Sequence, residues 1–148
     1  MTYYIDLPNL TSLSIGDGSF GNSTAFQLSN LDSLQSLNIG NEMYNGISTF
    51  MIEGLSSLTS LSIGSNSFTS MKNGFGNDIN KSFHILNCTK LESIEIGEYS
   101  FSDYGGQFEL SNLPQLQSIQ IGQLNSSSYN FYSTPLNIQG IELINWNE

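Results

Sequence analysis

Five carboxylates crowd one stretch of the chain, Glu92, Glu95, Glu98, Asp103 and Glu109, and no other residues come as near to chemistry by type and spacing. A carboxylate pair could divide acid and base roles in glycoside hydrolysis. A tighter group could hold Ca²⁺, which takes six or more oxygen ligands. Other chemistry is thinly supplied. His84 is the single histidine, which excludes a multi-histidine metal centre and leaves a Ser-His-Asp triad without support. The glycines precede no helix signal, so no phosphate-cradling loop is read. The expectation is a chain with no catalytic residue, no metal site and no cofactor.

Whether those carboxylates converge depends on the elements that carry them, and these are set by an internal repeat. Phe26-Gln-Leu28-Ser-Asn-Leu31-Asp-Ser-Leu34-Gln-Ser-Leu37-Asn-Ile39-Gly40 recurs from Phe50 to Gly64, Phe83 to Gly97 and Phe108 to Gly122. Thr2 to Gly16 fits the same frame with Thr2 and Tyr4 as exceptions, and a sixth copy starts at Leu136. Length varies chiefly between each Gly and the next Phe, which marks that segment as the loop. Four loops carry an aromatic residue four positions past the Gly, Phe20, Tyr44, Phe68 and Phe101, expected to pin the loop inward. The fifth has Ser126 there and should be looser.

Inside the frame, Phe-x-[Leu/Ile] and [Leu/Ile]-x-Ile have the period of two that belongs to strands with one buried face. One coil cannot bury that face alone, so coils must stack, each strand pairing in parallel with its counterpart one coil away. The prediction is an all-β solenoid of about five coils, 2–25, 26–49, 50–82, 83–107 and 108–135, with a partial coil at 136–148, two parallel sheets and few or no helices, forming one domain over 1–148. Leu13, Leu37, Leu61, Ile94 and Ile119 should form a buried column beside Ile15, Ile39, Ile63, Ile96 and Ile121. Pro8 and Pro114 fall in the Leu-x-x-Leu step between sheets, where they remove no ladder hydrogen bond. Cys88 takes a column otherwise held by Leu31, Leu55 and Leu113, and so reads as a small buried hydrophobe.

Leu58-Thr-Ser-Leu61-Ser-Ile63-Gly-Ser-Asn66-Ser-Phe68 resembles the leucine-rich repeat hallmark. Ile15-Gly-Asp-Gly-Ser-Phe20 and Ile96-Gly-Glu-Tyr-Ser-Phe101 look like the signature of BspA-type repeats of bacterial and protist surface proteins. The resemblance implies a recognition scaffold and favours an extracellular or cell-surface place. Gly18, Glu42, Tyr99 and Leu124 stand where the family has Asn, so the usual asparagine ladder is not expected.

Outward positions then line up about 4.8 Å apart. Ser12, Ser36, Ser60, Ser93 and Ser118 form one column, Ser14, Asn38, Ser62, Glu95 and Gln120 the next, and the glycines a third. Asp17, Asn41, Ser65, Glu98 and Gln123 follow the glycines. This flat polar face is either a protein- or glycan-binding platform or a solvated sheet face, and it lacks aromatic or Arg anchors. Stacking places Glu95 between Ser62 and Gln120, and Glu98 between Ser65 and Gln123, so no carboxylate column forms and a solvated acidic surface is the better reading. His84 falls on an outward position and is expected to be exposed. The long third loop, carrying Lys72 and Lys81, is either a binding protrusion or a tolerated insertion.

Thirteen acidic residues against three basic ones give a charge of −10, which disfavours nucleic acid and anionic lipid as partners. No apolar run approaches the ~20 residues of a bilayer-spanning helix, and the opening MTYYIDLPNL has no secretory-signal pattern. One cysteine makes no internal disulfide. Both ends look poorly capped: Trp146 can fold back over the final core, but the edge around Tyr3, Tyr4 and Ile5 has no comparable lid, so a segment of a longer array or end-to-end stacking of copies is expected.

Overall fold

The structure is a computed structural model and describes residues 7–43, 46–122, 128–134 and 142–144. Among these residues the regular elements are all strands, and there is no helix. The first sheet takes the [Leu/Ile]-x-Ile segments: β1 (Ser12–Ile15), β3 (Ser36–Ile39), β5 (Ser60–Ile63), β7 (Ser93–Ile96) and β9 (Ser118–Ile121). The second takes the Phe-x-[Leu/Ile] segments: β2 (Ala25–Leu28), β4 (Thr49–Glu53), β6 (Ser82–Leu86) and β8 (Phe108–Ser111). A short β10 (Glu142–Ile144) adds a sixth strand to the first sheet beside β9.

Every pairing is parallel, and every one except β9 with β10 skips one strand in sequence, giving the orders β1-β3-β5-β7-β9-β10 and β2-β4-β6-β8. Register follows the repeat residue for residue. Ser12 pairs with Ser36, Ser36 with Ser60, Ser60 with Ser93 and Ser93 with Ser118. A slip of one residue would turn each buried column to solvent, which is why the apolar alternation fixes this alignment.

Between the sheets the Leu-x-x-Leu step closes as a β-turn at the same place in each repeat. Leu34, Leu58, Leu91 and Leu116 each donate their N–H to the carbonyl three residues back, at 3.1–3.2 Å. Leu10 does the same to Leu7, so Pro8 and Pro114 sit at the second turn position, where a fixed φ suits the turn and no N–H is required. Just before it, Asn30, Gly54, Asn87 and Asn112 all have φ between 53° and 68°. That left-handed conformation explains why Asn or Gly alternate in a column that the apolar frame leaves open.

The core is layered. Leu37, Leu61, Ile94 and Ile119 are buried, as are Ile39, Ile63, Ile96 and Ile121, while Leu13 and Ile15 of β1 are only partly covered. Phe26, Phe50, Phe83 and Phe108 stack face to face at centroid spacings of 5.0–5.1 Å. A second stack of Phe68, Phe101 and Phe131 meets the first edge-on. Two of the four expected loop pins are thus buried rings. Phe20 remains 37% exposed, and Tyr44 and Ser126 lie outside the described residues. The fifth loop is nevertheless pinned, by Phe131, because the extra residues of that loop are inserted before the aromatic position.

Candidate functional site

At Gly40, Gly64 and Gly97 the glycine column is a packing requirement. A Cβ on Gly97 would lie 2.5 Å from the Gly64 carbonyl carbon, and one on Gly64 would lie 2.7 Å from the Gly40 carbonyl. The chain approaches itself there more closely than any side chain allows.

Beside the glycines, Asn41 N–H donates to Asp17 Oδ1 at 2.8 Å and Ser65 N–H to Asn41 Oδ1 at 2.9 Å. An acceptor ladder therefore exists, one position earlier than the resemblance would place it. Asp17, Asn41 and Ser65 line a shallow cavity of about 530 Å³ with Gly18, Glu42 and Asn66. A second, buried ladder uses the residue just before the loop aromatic, the Ser of Ile-Gly-x-x-Ser-Phe in two copies and Asn130 before Phe131. Ser67 Oγ, Ser100 Oγ and Asn130 Nδ2 donate to the carbonyls of Gly40, Gly64 and Gly97 at 2.8, 2.6 and 2.7 Å. These bonds satisfy carbonyls that the loops would otherwise bury unpaired.

The predicted polar face forms as a column. Ser14, Asn38, Ser62, Glu95 and Gln120 pair in register, Ser14, Asn38 and Glu95 exposed, Ser62 and Gln120 half-buried. Glu95 has uncharged neighbours on both sides. Glu98 is half-buried beside Asn66, whose N–H bonds its carbonyl. Gln123 lies outside the described residues, and Ser128 accepts from Tyr99 N–H at the level where the sequence placed Gln123. Among the described residues no group of three or more His, Cys, Asp and Glu gathers around a common point.

Three expectations are corrected. Lys81 is not on an exposed protrusion: it is 5% exposed, and its Nζ lies 2.7 Å from Asp103 Oδ2 and 2.8 Å from Ser70 Oγ. Asp103, grouped above with the acidic surface, is buried in the same contact. Burial alone would raise its carboxyl pKa, but hydrogen bonds from Lys81 and Ser70 outweigh it and hold the group below the usual carboxylate range. His84 is not exposed either. At 9% exposure it is flanked across β4 and β8 by Met51 and Glu109, and its Nδ1 lies 3.1 Å from Glu109 Oε2. Cys88 is buried as the leucine column implies, and burial pushes its thiol pKa up, away from a reactive thiolate. Lys72 stays at the surface, 2.6 Å from Glu42 Oε1.

The third loop is packed down. Gly76 N–H donates to Ser102, Asp78 N–H to Asp103, and Ser133 Oγ to the Gly76 carbonyl. This docking brings Phe75 to 4.2 Å from Tyr132 and 5.0 Å from Tyr129, centroid to centroid, with Tyr99 6.1 Å beyond Tyr129. Phe75 and Tyr132 are exposed, as are Met71 and Ile79 nearby. Sequence reasoning missed this cluster because its members come from separate loops. Its one visible trace was the presence of Phe75, Tyr129 and Tyr132 at positions the repeat does not use. Of the described segments, no helix is long and apolar enough to cross a membrane. No known protein family, curated protein or solved structure matches the chain.

Proposed function

We propose that the chain is a leucine-rich-repeat-like solenoid acting as a non-enzymatic recognition scaffold for a protein or glycan. The observation that carries this reading is the aromatic cluster of Phe75, Tyr129 and Tyr132, with Phe75 and Tyr132 exposed, held beside a stack of parallel strands. Aromatic side chains offer large contact area at little entropic cost, and they dominate binding energy where they occur. The polar strand face has no such anchor, so recognition is assigned to the loop edge.

The acidic side chains support a binding role over hydrolysis. Asp103 is engaged by Lys81 and Glu42 by Lys72, while Glu95 stands between Ser62 and Gln120. To test the reading, arrays of peptides and oligosaccharides are probed with the native chain, with Phe75→Ser/Tyr132→Ser, and with Ser62→Arg/Glu95→Arg on the strand face. Loss of the native hits in the first variant, with melting unchanged, is expected. Hits that survive it undiminished would remove the loop edge as the site.

A second reading, end-to-end stacking of copies, draws support from the partial exposure of Leu13, Ile15 and Phe20 at the β1 end. Light scattering over a concentration series, repeated with Leu13→Lys, decides it. A mass independent of concentration would exclude it.

A further inference from the structure

Of six large hydrophobic side chains exposed among the described residues, four lie in or against the third loop: Met71, Phe75, Ile79 and Tyr132. Met71 and Ile79 line a cavity of about 400 Å³ with Gly76, Asn77, Asp78, Asn80 and Asp103, and Phe75 adjoins it through Gly76. Ile79 is 74% exposed. Nothing in the repeat requires an isoleucine there, and apolar atoms gathered on a rimmed surface mark an interaction site.

Resting on the recognition reading above, we propose that this patch captures a polypeptide segment in which aliphatic or aromatic side chains alternate with Lys or Arg. The apolar half of that specification follows from Met71 and Ile79. They gain nothing from a hydroxyl-rich sugar, whereas Met and aromatic residues are enriched where proteins dock on one another. The basic half follows from charge. The chain carries a net −10 and contains no Arg; of its three Lys, Lys72 and Lys81 are matched by Glu42 and Asp103, and Lys90 sits in the Cys88–Leu91 turn between the sheets. Asp78 and Asp103 are the charged residues of the cavity wall, and with Asp103 paired to Lys81 it is Asp78 that sets the sign there. The exposed parts of the Phe75 and Tyr132 rings supply aromatic surface of the kind that attracts a cation. An acidic segment of equal hydrophobicity would be repelled.

The probes are three fluorescent ten-residue peptides, alternating Leu with Arg, Leu with Glu, and Ser with Arg, followed by anisotropy at low and high salt. The Leu/Arg peptide is expected to bind saturably, with the other two weaker by about tenfold or more. Phe75→Ser/Tyr132→Ser should weaken the Leu/Arg peptide by about tenfold, and Asp78→Asn by a smaller factor that shrinks as salt rises. Glu95→Gln on the strand face should leave binding unchanged. If the double variant does not fold, Ile79→Ser at the exposed loop tip replaces it with the same expected direction.

Equal binding of the Ser/Arg peptide, or an undiminished affinity in the patch variants, would overturn the proposal. An oligosaccharide that binds in a Phe75-dependent manner while no peptide does would overturn the polypeptide partner and leave the recognition reading standing. Ligands of both classes binding without regard to Phe75 and Tyr132 would sink the two together.

Discussion

Phe20, Phe68 and Phe101 occupy one repeat position with φ of 71°, 56° and 57°, yet their surroundings differ, so truncating each to Ala measures what the ring stack contributes. Phe101 is fully buried, with ring centroids of Phe50, Phe68, Phe83, Tyr104 and Phe131 all within 5.2 Å. Phe68 is equally buried but meets three rings, Phe26, Phe50 and Phe101. Phe20 is 37% exposed and meets Phe26. A buried Phe→Ala change costs about 3–5 kcal/mol through lost transfer energy and the cavity left behind. Aromatic pairs add about 0.5–1.5 kcal/mol beyond area. Phe101→Ala should therefore fall at the top of that range and Phe68→Ala below it. Phe20→Ala, which opens no closed cavity, should cost about 1–2 kcal/mol. Against a total stability of about 5–15 kcal/mol, the Phe101 loss is large. Urea unfolding followed by circular dichroism reads all three, and Phe101→Leu keeps the comparison measurable if Phe101→Ala does not fold. The backbone adds a second discriminator. Glycine in place of alanine ordinarily costs about 0.5–1 kcal/mol, but relief of the left-handed conformation returns about 1–2 kcal/mol. Phe101→Gly should then be no less stable than Phe101→Ala. Equal losses at the three positions, or Phe20 as the costliest, would refute the layered ring stack as the source of stability.

Leu61→Ala, in the middle of the buried column, should cost about 2–5 kcal/mol by the same denaturation assay. Removing one partner of the buried ion pair, as in Asp103→Ala, should cost about 3–5 kcal/mol, since it takes away the carboxylate that the buried Lys81 ammonium meets at 2.7 Å. Because the folded Asp103 pKa lies below its ordinary 3.8, its contribution is complete above about pH 4 and is lost as pH falls through the depressed value. Melting curves from pH 6 to 2 should therefore decline at the acid end in the native chain and less so in Asp103→Asn. Gly97→Ala should lose about 1–3 kcal/mol, because its Cβ would meet backbone atoms at 2.5–2.6 Å that cannot swing aside. Gly16→Ala, with nothing within 4 Å of the new carbon, should change stability by less than about 0.5 kcal/mol.

Strand identity, parallel pairing and register were legible in the chain because a period of two inside a recurring fifteen-residue frame fixes which side chains turn inward. Leu37, Leu61 and Ile94 could go nowhere else once successive copies stacked. The Phe26, Phe50, Phe83 and Phe108 column follows from the same frame. Burial of Cys88 was readable from its column mates. The loops were another matter, since contacts there join residues that no period relates. Lys81 meets Asp103 across 22 positions, and Ser133 meets Gly76 across 57. Which loop residue reaches a given level depends on where an insertion falls, so Phe131 replaced the expected Ser126 and Ser128 stands at the level expected for Gln123. His84 was assigned to the outward side of its strand correctly, but its burial came from the neighbours that cross-strand packing set around it. Periodicity determines what faces the core of a repeat. Only three-dimensional packing decided how the loops fold back against it, and that packing created both the buried Lys81–Asp103 pair and the aromatic cluster at the loop edge.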